Sequence, residues 1–241
     1  MNTKTLFSIA ASSAVFAAVA GTTTLESAVV GVVKHTAATG EIAIGVPWNG
    51  VTVDKLVSSG VSTGDTISMW DEANSRYDVW GWDGDSWERA IDTDHSYTTS
   101  KSASETTVAP GRAVWYKRAA SNAITLLGTP VTGACSTTVA GGSSSAPKYN
   151  LLCDPFPEDV TLSGVSGTAG DQIALIGGTK AVYTYHGDAW CTRSFETTTD
   201  AYGDPVQTET FTPVGSGTTI PAGRAFWYMS RGGSPTLTWK Q

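Results

Sequence analysis

Few residues in this chain have the types and spacing needed for chemistry. Gly60-Val-Ser62-Thr-Gly64 has the Gly-x-Ser-x-Gly spacing of a nucleophile elbow, in which a tight turn lifts a serine hydroxyl between a strand and a helix. No helical periodicity follows it, and the related stretch Gly164-Val-Ser166-Gly-Thr-Ala-Gly170 breaks the spacing, so the motif reads as a turn. A serine nucleophile also needs a base oriented by a third group. His35, His95 and His186 are scattered, and no dyad or triad assembles by role. Asp83, Asp85, Asp92 and Asp94 form a small acidic cluster whose spacing does not follow a calcium-binding loop, so they read as solvated turns. We expect no catalytic residues, no enzyme activity, no metal and no cofactor.

Two further residue types carry candidate roles. Cys135, Cys153 and Cys191 are spaced by 18 and 38 residues, which does not suit a zinc site. In an oxidising compartment two of them are expected to pair. Cys153–Cys191 is the favoured bridge and Cys135–Cys153 the alternative, leaving Cys135 as the candidate free or intersubunit thiol. Trp70, Trp80, Trp82 and Trp87 crowd into 18 residues. Exposed indoles can stack on sugar rings, and Trp80 and Trp82 share one strand face by parity, so Trp70, Trp80 and Trp82 are candidate ligand-binding residues. Trp87, Trp115, Trp190 and Trp227 recur in both halves of the chain and read as core.

The elements that hold these residues follow from composition and repetition. Only 15% of the 241 residues are charged, while Gly, Ser, Thr and aromatics are plentiful. That mixture suits pleated strands separated by tight turns, an all-β extracellular protein. The net charge of −7 and the lack of any basic run disfavour nucleic acid and anionic membranes as partners. At the N-terminus Lys4 precedes an apolar run from Leu6 to Ala20 that ends in Ala18-Val19-Ala20. The run is too short for a spanning helix, which needs about 20 residues. It reads as a secretory signal over residues 1–20, with no membrane insertion once it is removed. A pilin-type processing site at Gly21 is a poor alternative, because the apolar run precedes the glycine.

Self-comparison reveals a duplication. Thr106-Thr-Val-Ala-Pro-Gly111-Arg-Ala-Val-Trp115-Tyr116 returns as Thr218-Thr-Ile-Pro-Ala-Gly223-Arg-Ala-Phe-Trp227-Tyr228. Gly64-Asp65-Thr66-Ile67 returns as Gly170-Asp171-Gln172-Ile173, and Gly84-Asp85-Ser86-Trp87 as Gly187-Asp188-Ala189-Trp190. Ile44-Gly-Val-Pro47-Trp48 matches Leu152-Cys-Asp-Pro155-Phe156. The offsets are 106, 103, 108 and 112, so insertions separate the blocks. Each Gly-Asp-x-Ile block is a turn entering a strand, with Asp bonding the local backbone and Ile pointing inward. Each Gly-Arg-Ala-x-Trp-Tyr block is a turn and then a strand with two aromatics on opposite faces. We therefore expect two tandem copies of a small antiparallel β-sandwich or barrel-like module, at 29–133 and 148–241. The Gly/Ser-rich stretch 134–147 reads as a flexible linker.

These blocks resemble a loosely defined family of secreted bacterial proteins of planctomycete and verrucomicrobia type. Its modules carry a stretch like Asn150-Leu-Leu-x-x-Pro155-Phe156, then Gly-Asp-x-Ile, then a late Gly-Arg-Ala-Phe-Trp-Tyr. The first module lacks the Asn-Leu-Leu lead. The resemblance implies secretion and a β fold and assigns no catalytic residue. The expected function is that of a structural or assembly protein, a subunit of an extracellular filament, sheath or surface layer. Self-association or cell-surface components are the expected partners, and Val29, Val30, Val32 and Val33 a candidate assembly strand. The alternative is a carbohydrate-binding or adhesive module pair, with glycans as partners.

Overall fold

The computed structural model describes residues 8–9, 31–36, 39–46, 48–89, 101–177, 181–233 and 236–240. The chain is all-β, as its composition predicts, and its sheets are antiparallel. The described helices are a single turn at Val53–Leu56 and a 3-10 turn at Leu162–Gly164. Among the described residues no helix is long and apolar enough to cross a membrane.

In the first half a five-stranded sheet runs Gly40–Gly45, Ala113–Arg118, Thr66–Asp71, Arg76–Trp82, Trp87–Arg89. A smaller sheet of Gly31–Thr36, Ala123–Gly128 and Val57–Ser59 covers it, with Ser8–Ile9 on the outer edge of Gly31–Thr36. Strand alternation sends Val33, Ile44, Ile67, Trp80, Tyr116, Ile124 and Leu126 into one core together with Trp48. In the second half the large sheet runs Lys148–Cys153, Ala225–Ser230, Gln172–Leu175, Val182–His186, Ala189–Thr199, Pro205–Pro213. The pair Cys135–Thr138 and Thr236–Trp239 covers it, and Leu152, Phe156, Ile173, Trp190, Tyr228 and Trp239 fill the space between.

The Gly-Asp turns do more than the sequence suggests. Gly64 and Gly170 have φ of 91° and 92°, a region in which glycine is unstrained. Beside them Asp65 and Asp171 are fully buried. Asp65 accepts from the backbone of Ser62 at 3.0 Å, which is local as expected, but also from Tyr116 Oη at 2.6 Å and Ala119 N at 2.7 Å. Asp171 accepts from Thr168 N, Tyr228 Oη (2.5 Å), Arg231 N and Gly232 N. Each carboxylate thus welds its turn to the end of the aromatic strand. Burial first, and then the aspartate, raise both phenols above their usual range, so each tyrosine stays a donor.

Two expectations change here. The stretch between the halves is not free. Cys135–Thr138 pairs with Trp239–Thr236, and fully buried Asn150 clips Ala140 through N–H and C=O at 2.7 and 3.2 Å. The second half therefore begins at Cys135. The candidate assembly strand also finds its partner inside its own half. Val32 and Val33 pair with Leu127 and Leu126, and Val33 is buried in the core; Val29 and Val30 lie outside the described residues.

Removing a buried charged acceptor strands several donors at once. Asp65→Ala and Asp171→Ala should each cost about 3 kcal/mol, and Tyr116→Phe or Tyr228→Phe about 1.5 kcal/mol. Urea unfolding reads this as a lower midpoint at unchanged slope.

Candidate functional site

The outer faces of the two large sheets meet. Strand alternation that puts Tyr116 and Tyr228 inside puts their neighbours Trp115 and Trp227 on the other face. These indoles join Ala43, Trp70, Ala113, Leu151, Cys153, Ile176 and Ala225 in an apolar junction between the halves. Trp70 meets Trp227 edge to face at 5.6 Å and donates Nε1–H to the Tyr149 carbonyl at 2.7 Å. Cys153 lies opposite Gly45, where a Cβ would stand 2.7 Å from the Cys153 Cβ. The Cys153 thiol accepts from Val46 N at 3.2 Å and donates to the Arg112 carbonyl at 3.1 Å.

The two ends of this junction differ. At one end Arg112 has acceptors: its guanidinium pairs with Glu72 and donates to the Thr138 carbonyl at 2.6 Å. At the other end stands the equivalent Arg224, with its guanidinium beside Gly177. Its Nε is buried without an acceptor, and it makes no ion pair among the described residues. There the halves leave a cleft of about 570 Å³, lined by His35, Glu41, Trp115, Ile176, Pro221 and Arg224 among others. His35 Nε2 and Trp115 Nε1 are likewise buried without a partner. Burial first, and then Arg118, lower His35 to about 4, so it is neutral at pH 7 and its ring is a hydrogen-bonding group, not a cation.

The second feature is a projecting arm. Ala189–Thr199 and Pro205–Pro213 pair from Cys191–Pro213 to Thr199–Pro205, and beyond Cys191 nearly every residue is exposed. Side-chain contacts brace the ribbon: Arg193 pairs with Glu209 across the strands and lies 4.4 Å over the Phe195 ring on its own strand, and Phe211 stacks on His186 at 4.0 Å. At the tip Asp200 Oδ1 accepts from Tyr202 N and Asp204 N, and the Tyr202 side chain is 92% exposed.

The predicted site residues fall as follows. Trp80 and Trp82 do share a face, but it is the inward one. Trp80 lies opposite Ile67 and is fully buried, which corrects its assignment to a sugar platform. Trp82 is half-buried against the core and packs edge-on to Trp87 at 5.4 Å; Trp70 belongs to the junction. Trp115 and Trp227, expected in the cores, lie in the junction too, while Trp87 and Trp190 are core residues. The three cysteines are unpaired and buried, so the Cys153–Cys191 bridge is not formed. Three strands separate their strands in the sheet, a span of about 19 Å at 4.8 Å per strand, whereas disulfide Cα atoms lie about 6 Å apart. Cys135 packs inside the second core, where its thiol is buried. Ser62 sits in a turn, its hydroxyl accepting from Asn122 and its N–H donating to Asp65. Asp83 accepts from the N–H groups of Asp85 and Ser86, which hold its carboxyl below the usual range, while His95, Asp92 and Asp94 lie outside the described residues. Among the described residues no group of three His, Cys, Asp or Glu side chains is placed to hold a metal. No family model, no curated protein and no solved structure matches the chain.

Burial raises the Cys153 and Cys135 thiols, which keeps them as unreactive thiols. A thiol reagent added to the native protein should label neither of them, and labelling should appear only with unfolding in denaturant. The His35 shift has its own consequence. The unfolded chain takes up a proton near pH 6.5 that the folded chain refuses until about 4, so His35 lowers stability as pH falls through that window. Thermal melts at pH 7 and pH 4.5 should show a smaller loss for His35→Asn than for the parent.

Proposed function

We propose that this chain is a secreted structural protein that assembles with copies of itself into an extracellular filament, sheath or surface layer. The projecting arm carries this reading. A two-stranded ribbon alone is marginally stable in water. This one extends well past the sheet it grows from, with Phe195 and Val206 about half exposed and an almost bare tyrosine at its tip. Such a ribbon gains its missing contacts from another molecule. The outer strand Pro205–Pro213 is an edge with proline at both ends, a device that discourages indiscriminate edge pairing and leaves the tip as the specific contact. The signal-like N-terminus and the likeness to secreted bacterial tandem-module proteins point the same way. Glycan binding through Trp70 and Trp82 is the weaker reading, because other aromatic rings engage both indoles.

Light scattering coupled to size exclusion tests this. The purified chain should gain mass as concentration rises, and a variant whose arm is shortened to a two-residue Asn-Gly turn after Ser194 should stay monomeric. A parent chain that is strictly monomeric at high concentration would overturn the proposal.

A further inference from the structure

We infer that the junction cleft around Arg224 is the receptor for the arm tip of a second copy of this chain, an inference that rests on the self-association proposed above.

The cleft is short of acceptors. Three of its polar groups, Arg224 Nε, Trp115 Nε1 and His35 Nε2, are buried without partners among the described residues, and the first two can only donate. The opposite end of the same junction shows what such a guanidinium ordinarily receives, since Arg112 takes a carboxylate from Glu72 and a carbonyl from Thr138. By the offset between the Gly-Asp blocks, the position equivalent to Glu72 is Gly178, which has no side chain to offer. Buried polar groups in a folded protein are nearly always satisfied, by protein or by water, and these donors suit a ligand rich in acceptors with an aromatic or apolar body to lie along Trp115 and Ile176.

The arm tip has that chemistry. Residues 200–204 hold two carboxylates, Asp200 and Asp204, and a phenol, Tyr202, with no cation among them. Asp200 spends one oxygen on the turn, which presets the loop, and the Asp204 carboxylate takes no hydrogen bond among the described residues. A preset loop loses little freedom on binding. In its own chain the whole tip is exposed, and the nine pairs from Cys191–Pro213 to Thr199–Pro205 fix its direction, so it does not enter its own cleft. Among the described residues Glu41 is the one carboxylate lining the cleft; it is exposed and forms no ion pair with Arg224. Tip and cleft are different surfaces, so their contact is head-to-tail, and each added copy presents a fresh tip and a fresh cleft. A heterologous contact of this kind propagates as an open chain.

Two variants of the full chain test this: Tyr202→Ala/Asp204→Ala, which disables the tip, and Arg224→Ala, which disables the cleft. None of the three residues has a side-chain hydrogen bond or ion pair among the described residues, so thermal melts should match the parent. Each variant alone should associate at least tenfold more weakly than the parent in sedimentation velocity. An equimolar mixture should form heterodimers and nothing longer, because one partner supplies the only working tip and the other the only working cleft. If the parent assembles and both variants assemble equally well, this inference falls while self-association stands. If the parent stays monomeric, both fall. If Arg224→Ala assembles normally but loses binding of free glucuronate that the parent shows, the cleft serves a small acidic ligand and the inference is overturned.

Discussion

A buried carboxylate bonded to a tyrosine hydroxyl is the constraint on which each half of this molecule is built. Asp65 and Asp171 have no access to water, and a charge in that position survives only if donors surround it. The donors come from two places far apart in sequence: the Gly-Asp turn itself, and the end of the strand that carries the aromatic pair. Once Tyr116 or Tyr228 is drawn inward to reach its carboxylate, the strand's parity is set, and Trp115 or Trp227 has to emerge on the opposite face. The apolar junction between the halves is therefore a consequence of the polar clamp inside each of them.

The junction then imposes its own rules. Glycine at position 45 and cysteine at position 153 are equivalent by sequence, yet they stand opposite each other, one supplying room and the other filling it. The thiol serves as a small apolar side chain with a weak donor and acceptor, held by Val46 and Arg112. Near-symmetry also makes its departures readable. The same arginine position meets a carboxylate at one end and, among the described residues, none at the other, where the cleft lies.

Much of the fold was legible from the repeated blocks. Turn glycines, inward isoleucines and the alternation of Trp and Tyr are local properties, and periodicity reports them directly. Errors came where a residue's meaning depends on what lies across the sheet. Parity correctly put Trp80 and Trp82 on one face, but only the pairing of Trp80 with Ile67 says that this face is the inner one. Composition made the Ser- and Gly-rich stretch look free, whereas Asn150 and the Cys135–Thr138 ladder pin it. Cysteine pairing was argued from compartment, while strand order keeps Cys153 and Cys191 apart. The arm has a signal of its own: between the Trp87/Trp190 and Gly111/Gly223 blocks the offset grows from 103 to 112, and the ribbon lies in that longer stretch of the second half.

The ribbon of the second half and the cleft at the junction are the two features on which the self-association proposal stands. Both are physically costly to keep. A β-ribbon standing in water holds little apolar burial against the entropy of ordering it, and a cleft with unpaired buried donors forfeits hydrogen bonds that water would supply if the halves stood apart. The two are chemically complementary: the tip offers the Asp204 carboxylate, which takes no hydrogen bond among the described residues, and the cleft holds the buried Arg224 and Trp115 donors, which have no acceptor among them. Either feature alone weakens the monomer. In the proposed contact between two copies the tip carboxylate meets the cleft donors, and the fixed direction of the ribbon keeps a chain from joining its own pair.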